Sequence, residues 1–91
     1  MHFSEEQLKE IEQMAGLFFS PADIADNLQL NAEDSERFIA LIEIKDPHVY
    51  LPFRRGRLKT EAELRESIKM AAMNGSSPAQ GMMIQFYKDS Q

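Results

Sequence analysis

An all-α fold follows from two features: a capping grammar repeated down the chain and apolar residues spaced at three and four. Ser4, Ser20, Asn31 and Ser77 each stand before a run with helical periodicity, and no alternating β pattern interrupts them. The expected architecture is a tri-helical helix-turn-helix head followed by a long-helix hairpin. The head covers 1–46, and a basic hairpin suited to oligomerisation covers 47–91.

The first helix is expected near 5–16. Ser4 caps it, Gln7 closes a capping box, and Phe3 can staple onto Leu8. Leu8, Ile11, Ala15 and Phe18 share one face, and Gly16 marks the end. The second helix, about 21–28, repeats the arrangement. Ser20 caps, Pro21 takes the first position, and Phe19 can staple onto Ile24. Asn31 caps a third helix from Ala32 to about Ile44, with Phe38, Ile39, Leu41 and Ile42 on its buried side. The expected head core is Leu8, Ile11, Phe18, Ile24, Leu28, Phe38 and Leu41.

Between Lys45 and Pro52 the helical pattern breaks. Pro47 and Pro52 disfavour helical backbone at the residues before them, so an extended link is expected. Pro52 then suits the first turn of a long helix running to about residue 74. Phe53, Arg57, Glu61, Leu64 and Ile68 keep phase along it. Gly56 weakens it, and Thr60 with Glu63 offers a competing break near Lys59. Gly75 reads as a C-cap, and Ser77-Pro78 opens a last helix to about Lys88. Leu64, Ile68, Met83 and Phe86 are the expected oligomer contacts. Two helices cannot cover all the apolar surface that they and the neighbouring methionines present.

The 91 residues carry a net charge of −5. Residues 1–46 hold 11 carboxylates against 3 cations, a net −8. Residues 47–91 hold 7 cations against 4 carboxylates, a net +3. Opposite-signed halves favour head-to-tail association, or a polyanion held by the second half alone. Arg54, Arg55, Arg57 and Lys59 concentrate that positive charge and are the candidate phosphate contacts. Arg37 is a fifth.

Catalytic chemistry is not legible. There is no cysteine, hence no thiol nucleophile or disulfide, and a reducing compartment suits such a chain. His2 and His48 stand far apart in sequence and read as surface residues, so no metal and no cofactor is expected. No glycine-rich phosphate loop precedes a helix. Apolar runs are too short to span a bilayer, and no signal peptide is visible. The expectation is a non-enzymatic protein with no membrane partner.

Ser20-Pro21-Ala22-Asp23-Ile24-Ala25-Asp26-Asn27-Leu28-Gln29-Leu30-Asn31 resembles a helix-turn-helix. Ile24, Leu28 and Leu30 match its apolar positions, and Ala25 matches the small residue where the helices cross. Two positions depart from the pattern. Gln29 stands where the turn usually has Gly, and Glu33, Asp34 and Glu36 open the third helix with the wrong sign for phosphate. With Phe53-Arg54-Arg55-Gly56-Arg57 and Gly75-Ser76-Ser77-Pro78-Ala79-Gln80 added, the chain from about Phe18 to Phe86 looks like small helix-turn-helix proteins of tailed phages. It resembles terminase small subunits in particular. The resemblance implies double-stranded DNA as a partner, self-assembly into a ring, docking to a large ATPase subunit and the cytoplasm of a bacterial host. Little chain follows Tyr87, where such docking would lie. The alternative is an acidic protein-interaction module or transcriptional adaptor that binds no DNA.

Overall fold

The computed structural model describes residues 1–91, all of them helix or short connection. Five helices follow in order: α1 (Glu5–Gly16), α2 (Pro21–Asn27), α3 (Ala32–Glu43), α4 (Pro47–Met73) and α5 (Ser77–Asp89), with no strand. Two compact units result, Met1–Thr60 and Glu61–Gln91.

The expected caps form. Gln7 N–H donates to Ser4 Oγ at 3.1 Å, and Ser4 N–H donates back to Gln7 Oε1 at 2.9 Å. Ser20 Oγ accepts from Asp23 N–H, and Asn31 Oδ1 accepts from Asp34 N–H. At α5 the cap is Ser76 rather than Ser77, so Pro78 falls at the second helical position. Pro is tolerated there, because that N–H has no intrahelical acceptor.

Each of the first four helices closes with the same double hydrogen bond, in which a left-handed residue follows the C-cap. Phe19 N–H reaches Met14 O while Phe18 N–H reaches Ala15 O. Leu30 with Gln29, Asp46 with Lys45, and Ser76 with Gly75 repeat it. The left-handed residues are Phe18 (φ 65°), Gln29 (φ 58°), Lys45 (φ 59°) and Gly75 (φ 98°). Only the last is a glycine. At the other three a Cβ crowds the backbone, at a cost of about 1 kcal/mol each.

The extended link expected over 45–52 is helix instead. Pro47 is the first residue of α4, where its fixed φ suits the helix and its missing N–H costs nothing. Asp46 caps it, accepting from His48 N–H through Oδ2 at 3.3 Å and from Tyr50 N–H through its carbonyl at 2.8 Å. Pro52 therefore lies inside α4, where its missing N–H removes the usual donor to the carbonyl four residues back, that of His48. Burial explains why the helix runs through it: Val49, Pro52, Phe53 and Gly56 all face the head core. No break occurs near Lys59.

These four residues also set the unit boundary. The proline-based division at residue 46 gives way to one at residue 60, because the first half of α4 belongs to the head's core. The opposite-signed halves dissolve with it. Residues 1–60 hold seven cations and eleven carboxylates, a net −4, and residues 61–91 hold three and four, a net −1. Charge no longer argues for head-to-tail association.

The head core is Phe3, Ile11, Ala15, Ile24, Ala25, Phe38, Ile42, Val49 and Phe53. Leu8, Leu28 and Leu41 are partly buried against it. Phe3 meets Phe38 edge-to-face at 5.7 Å between ring centres, so it is a core residue and not merely a staple. Phe18 is the clear departure from the expected core. As the left-handed residue after α1 it is turned outward and is 50% exposed.

Gly56 and Gly16 set the crossing of α4 on α1. A Cβ on Gly56 would overlap the Glu12 carbonyl oxygen and stand 3.1 Å from Gly16 N. A Cβ on Gly16 would stand 3.2 Å from Gly56 O. The two backbones touch directly, which only glycine permits. Gly81, inside α5, has nothing within 4 Å of its Cβ position.

Gly56→Ala is expected to lower head stability by several kcal/mol, on the scale of an overpacked core with no room to relax. Gly81→Ala is expected to raise helix stability by up to about 1 kcal/mol. Urea unfolding followed by circular dichroism reads both, and equal effects at the two sites would refute the close crossing.

Candidate functional site

The basic stretch occupies the part of α4 that follows Phe53. The buried residues Val49, Pro52, Phe53 and Gly56 define the inner face of this segment, and at 3.6 residues per turn Arg54 falls opposite it. Arg54 and Lys59 are exposed and form no ion pair.

Arg55 and Arg57 flank the crossing and are engaged by the head itself. Arg55 Nε donates to Glu12 Oε1 at 3.0 Å, with the two side chains 68% and 41% exposed. Such an open pair is worth about 0–1 kcal/mol and exchanges partners readily. Arg57 is held more tightly. Its guanidinium lies 4.4 Å from the centre of the Phe53 ring, one helical turn back, an arrangement that attracts the cation to the ring face. Its Nη2 donates to Phe19 O at 3.2 Å, in the connection between α1 and α2. Its Nε is buried without an acceptor. Arg57 therefore bolts the α1–α2 connection to α4 and is poorly placed to meet a phosphate.

Arg37 lies on α3 and pairs with Glu33 one turn earlier at 3.5 Å. Glu33 and Asp34 occupy the first turn of α3, as the sequence indicates. The helix-turn-helix elements themselves are present. α2 and α3 pack together, Ala25 is fully buried, and Gln29 takes the left-handed conformation that the turn requires. Gln29 thus keeps the backbone of the glycine it replaces. The internal partners of Arg55 and Arg57 lie 43 and 38 residues away in sequence, beyond the reach of any local pattern.

No protein-family model matches the chain, and no curated protein or solved structure shows significant similarity to it.

In the second unit, Ile68, Met83 and Phe86 are partly buried and Leu64 is half exposed. Arg65 stacks on the Phe86 ring at 4.1 Å and pairs with Glu61 at 2.8 Å. Gln80 Nε2 donates to Ala72 O at 3.1 Å, tying α5 to the end of α4. Ala79 is the unit's single buried hydrophobe. Leu64, Met70, Met73, Met82, Ile84 and Tyr87 remain at least half exposed. That is a large uncovered apolar surface for so small a unit.

One juxtaposition is invisible in the sequence. His2 and His48 stack at 5.9 Å between ring centres, with their planes 17° apart. Burial of Phe3 beneath the head's N-terminus brings them together. No group of three or more metal-ligating side chains occurs anywhere in the chain.

Arg57→Ala is expected to destabilise the head by about 1–3 kcal/mol, through loss of a charged hydrogen bond and a stacked cation. Arg55→Ala should change stability by less than about 1 kcal/mol. Thermal unfolding of the two variants distinguishes them, and equal shifts would remove the structural role of Arg57.

Proposed function

We propose that this is a non-enzymatic DNA-binding protein of the terminase small-subunit type, acting as an oligomer in the cytoplasm of a bacterial host. The observation that carries the reading is the α2–turn–α3 pair, with Ala25 buried at the crossing and Gln29 in the left-handed turn position. The resemblance in sequence extends it to genome packaging beside a large ATPase subunit. Arg54 and Lys59 are the free phosphate contacts, and Arg55 joins them at small cost by releasing Glu12. Arg57 serves indirectly, by fixing the segment that carries them.

Self-association supplies what one copy lacks. With a net −4 on the head, a single copy attracts DNA weakly. Several copies repeat Arg54, Arg55 and Lys59, and weak contacts then multiply through avidity. The exposed apolar side chains of the second unit provide the surface for that association. Leu64 and Met82 are the residues to change, since Ile68, Met83 and Phe86 also support the hairpin internally.

A second reading is favoured by one specific feature. The first turn of α3 carries Glu33 and Asp34, and the helix's one cation, Arg37, is already paired. An acidic protein-interaction module or adaptor fits that helix better than major-groove contact does.

Leu64→Glu with Met82→Glu should convert the oligomer to a monomer in sedimentation while leaving helicity nearly intact. A wild type that is monomeric at high micromolar concentration would eliminate assembly.

Duplex binding should weaken with salt, each neutralised phosphate adding about 0.9 to the slope of log K against log salt. Replacing Arg54, Arg55 and Lys59 with Ala should flatten that slope for all sequences alike. Glu33→Gln with Asp34→Gln should strengthen binding if α3 approaches the duplex. Oligomeric wild type that ignores duplex DNA at low salt overturns the DNA reading and leaves the interaction module.

A further inference from the structure

We infer that the head carries a docking surface for a second copy of itself: the outer face of α3 in one copy seats on the outer face of the first half of α4 in another. Burial of Val49, Pro52, Phe53 and Gly56 fixes the inner side of α4. Leu51, Arg54 and Leu58, with Arg55 at the edge, therefore fall on the opposite side at 3.6 residues per turn. All four are exposed, the two leucines at 51% each. Burial of Phe38 and Ile42 fixes the inner side of α3, which leaves Glu33, Glu36, Ala40, Glu43 and Ile44 on its outer side. These are exposed too, Ile44 at 73%. One ridge is thus a pair of arginines set between leucines. The other is a row of glutamates around an alanine, closed by an isoleucine.

Charge complementarity names the occupant. Arginines opposite glutamates attract, whereas either ridge opposed to its own kind sets like charges together. Ala40 lets another helix come close, and Leu51, Leu58 and Ile44 add apolar area to the charged contact. The other acidic helices fit less well: α1 sets Lys9 among its carboxylates, and α2 is only seven residues long. One chain cannot close the contact on itself, because both helices turn these ridges away from the core they share. Two different faces meet, so the contact is heterologous, and each copy keeps a ridge of either sign for a further neighbour. The net charges of the two units do not enter, since both ridges belong to the head. Exposed ion pairs are weak, so the contact alone has roughly millimolar strength. It gains effect when the second unit already holds copies together. A neighbouring α3 then covers Arg54 and Arg55 until a duplex displaces it. That last consequence rests on the DNA reading; the contact itself does not.

The test is made without DNA, on the full chain carrying Leu64→Glu and Met82→Glu, which silences association through the second unit. At low salt, raising this protein to about 1 mM should shift the backbone amide signals of α3 and of residues 51–58 together in NMR, and added salt should reverse the shifts. Arg54→Glu with Arg55→Glu, and separately Glu36→Lys with Glu43→Lys, should each weaken self-association at least about tenfold, because like charges then face each other. Mixing the two charge-reversed proteins should restore it, since every ridge of one then meets a ridge of opposite sign on the other. All four substituted positions are exposed. Arg54→Glu alone, which breaks no internal ion pair, repeats the test without touching the Arg55–Glu12 pair. The proposal is overturned by an absence of shifts at that concentration or by shifts on one ridge without the other. Undiminished association of either reversed protein, or no recovery on mixing, also overturns it.

Discussion

The head depends on a contact between two backbones. Where α4 crosses α1, Gly56 meets the Glu12 carbonyl and Gly16 with no side chain between them. Helices normally pack with their axes 8–10 Å apart, held off by side chains. Removing both at one point lets Phe53 and Val49 reach the core beside Ile11 and Ala15. The same contact decides the fate of the neighbouring arginines. Arg55 and Arg57 lie on either side of Gly56, so the crossing delivers one to Glu12 and the other to the Phe19 carbonyl. A glycine that local propensity marks as a weak point in a helix is thus the residue that lets the helix dock.

Much of the fold was legible because helix starts are local chemistry. Ser4, Ser20 and Asn31 each bond the backbone three residues on, and nothing distant interferes. Helix ends were legible to within a residue or so, including those near 28 and 44 that no glycine marks, but the left-handed conformation that follows each was legible only at Gly75. Phe18, Gln29 and Lys45 adopt the same left-handed conformation as Gly75 without any side-chain signal for it. Phe18 also looked like a core residue by spacing, since its period continues that of Leu8, Ile11 and Ala15. The helix had already ended, so the period no longer applied. Pro47 and Pro52 misled in the opposite direction. The restriction that proline places on its predecessor is real but modest, and burial of Val49, Pro52 and Phe53 outweighs it.

The candidate site was legible as composition and not as geometry. Four cations between Arg54 and Lys59 are plain in the sequence, but their division into two free and two engaged depends on partners in α1 and in the α1–α2 connection. Net charge was misleading for the same reason. Counting to either side of Pro47 separates an acidic head from a basic tail, whereas the folded unit mixes them. The stacked histidines show how far such distance effects reach: 46 positions separate them, and Phe3 closes the gap.

The uncovered face of the second unit has a chemical side as well as an adhesive one. Met70, Met73 and Met82 are 56%, 74% and 50% exposed, and the chain has no cysteine. Thioethers are therefore its only oxidisable sulfur, and these three stand most open to peroxide. Conversion to the sulfoxide turns a flexible apolar side chain into a polar one. The surface that would hold copies together is thus also the one that oxidative stress would rewrite, reversibly where a sulfoxide reductase is at hand.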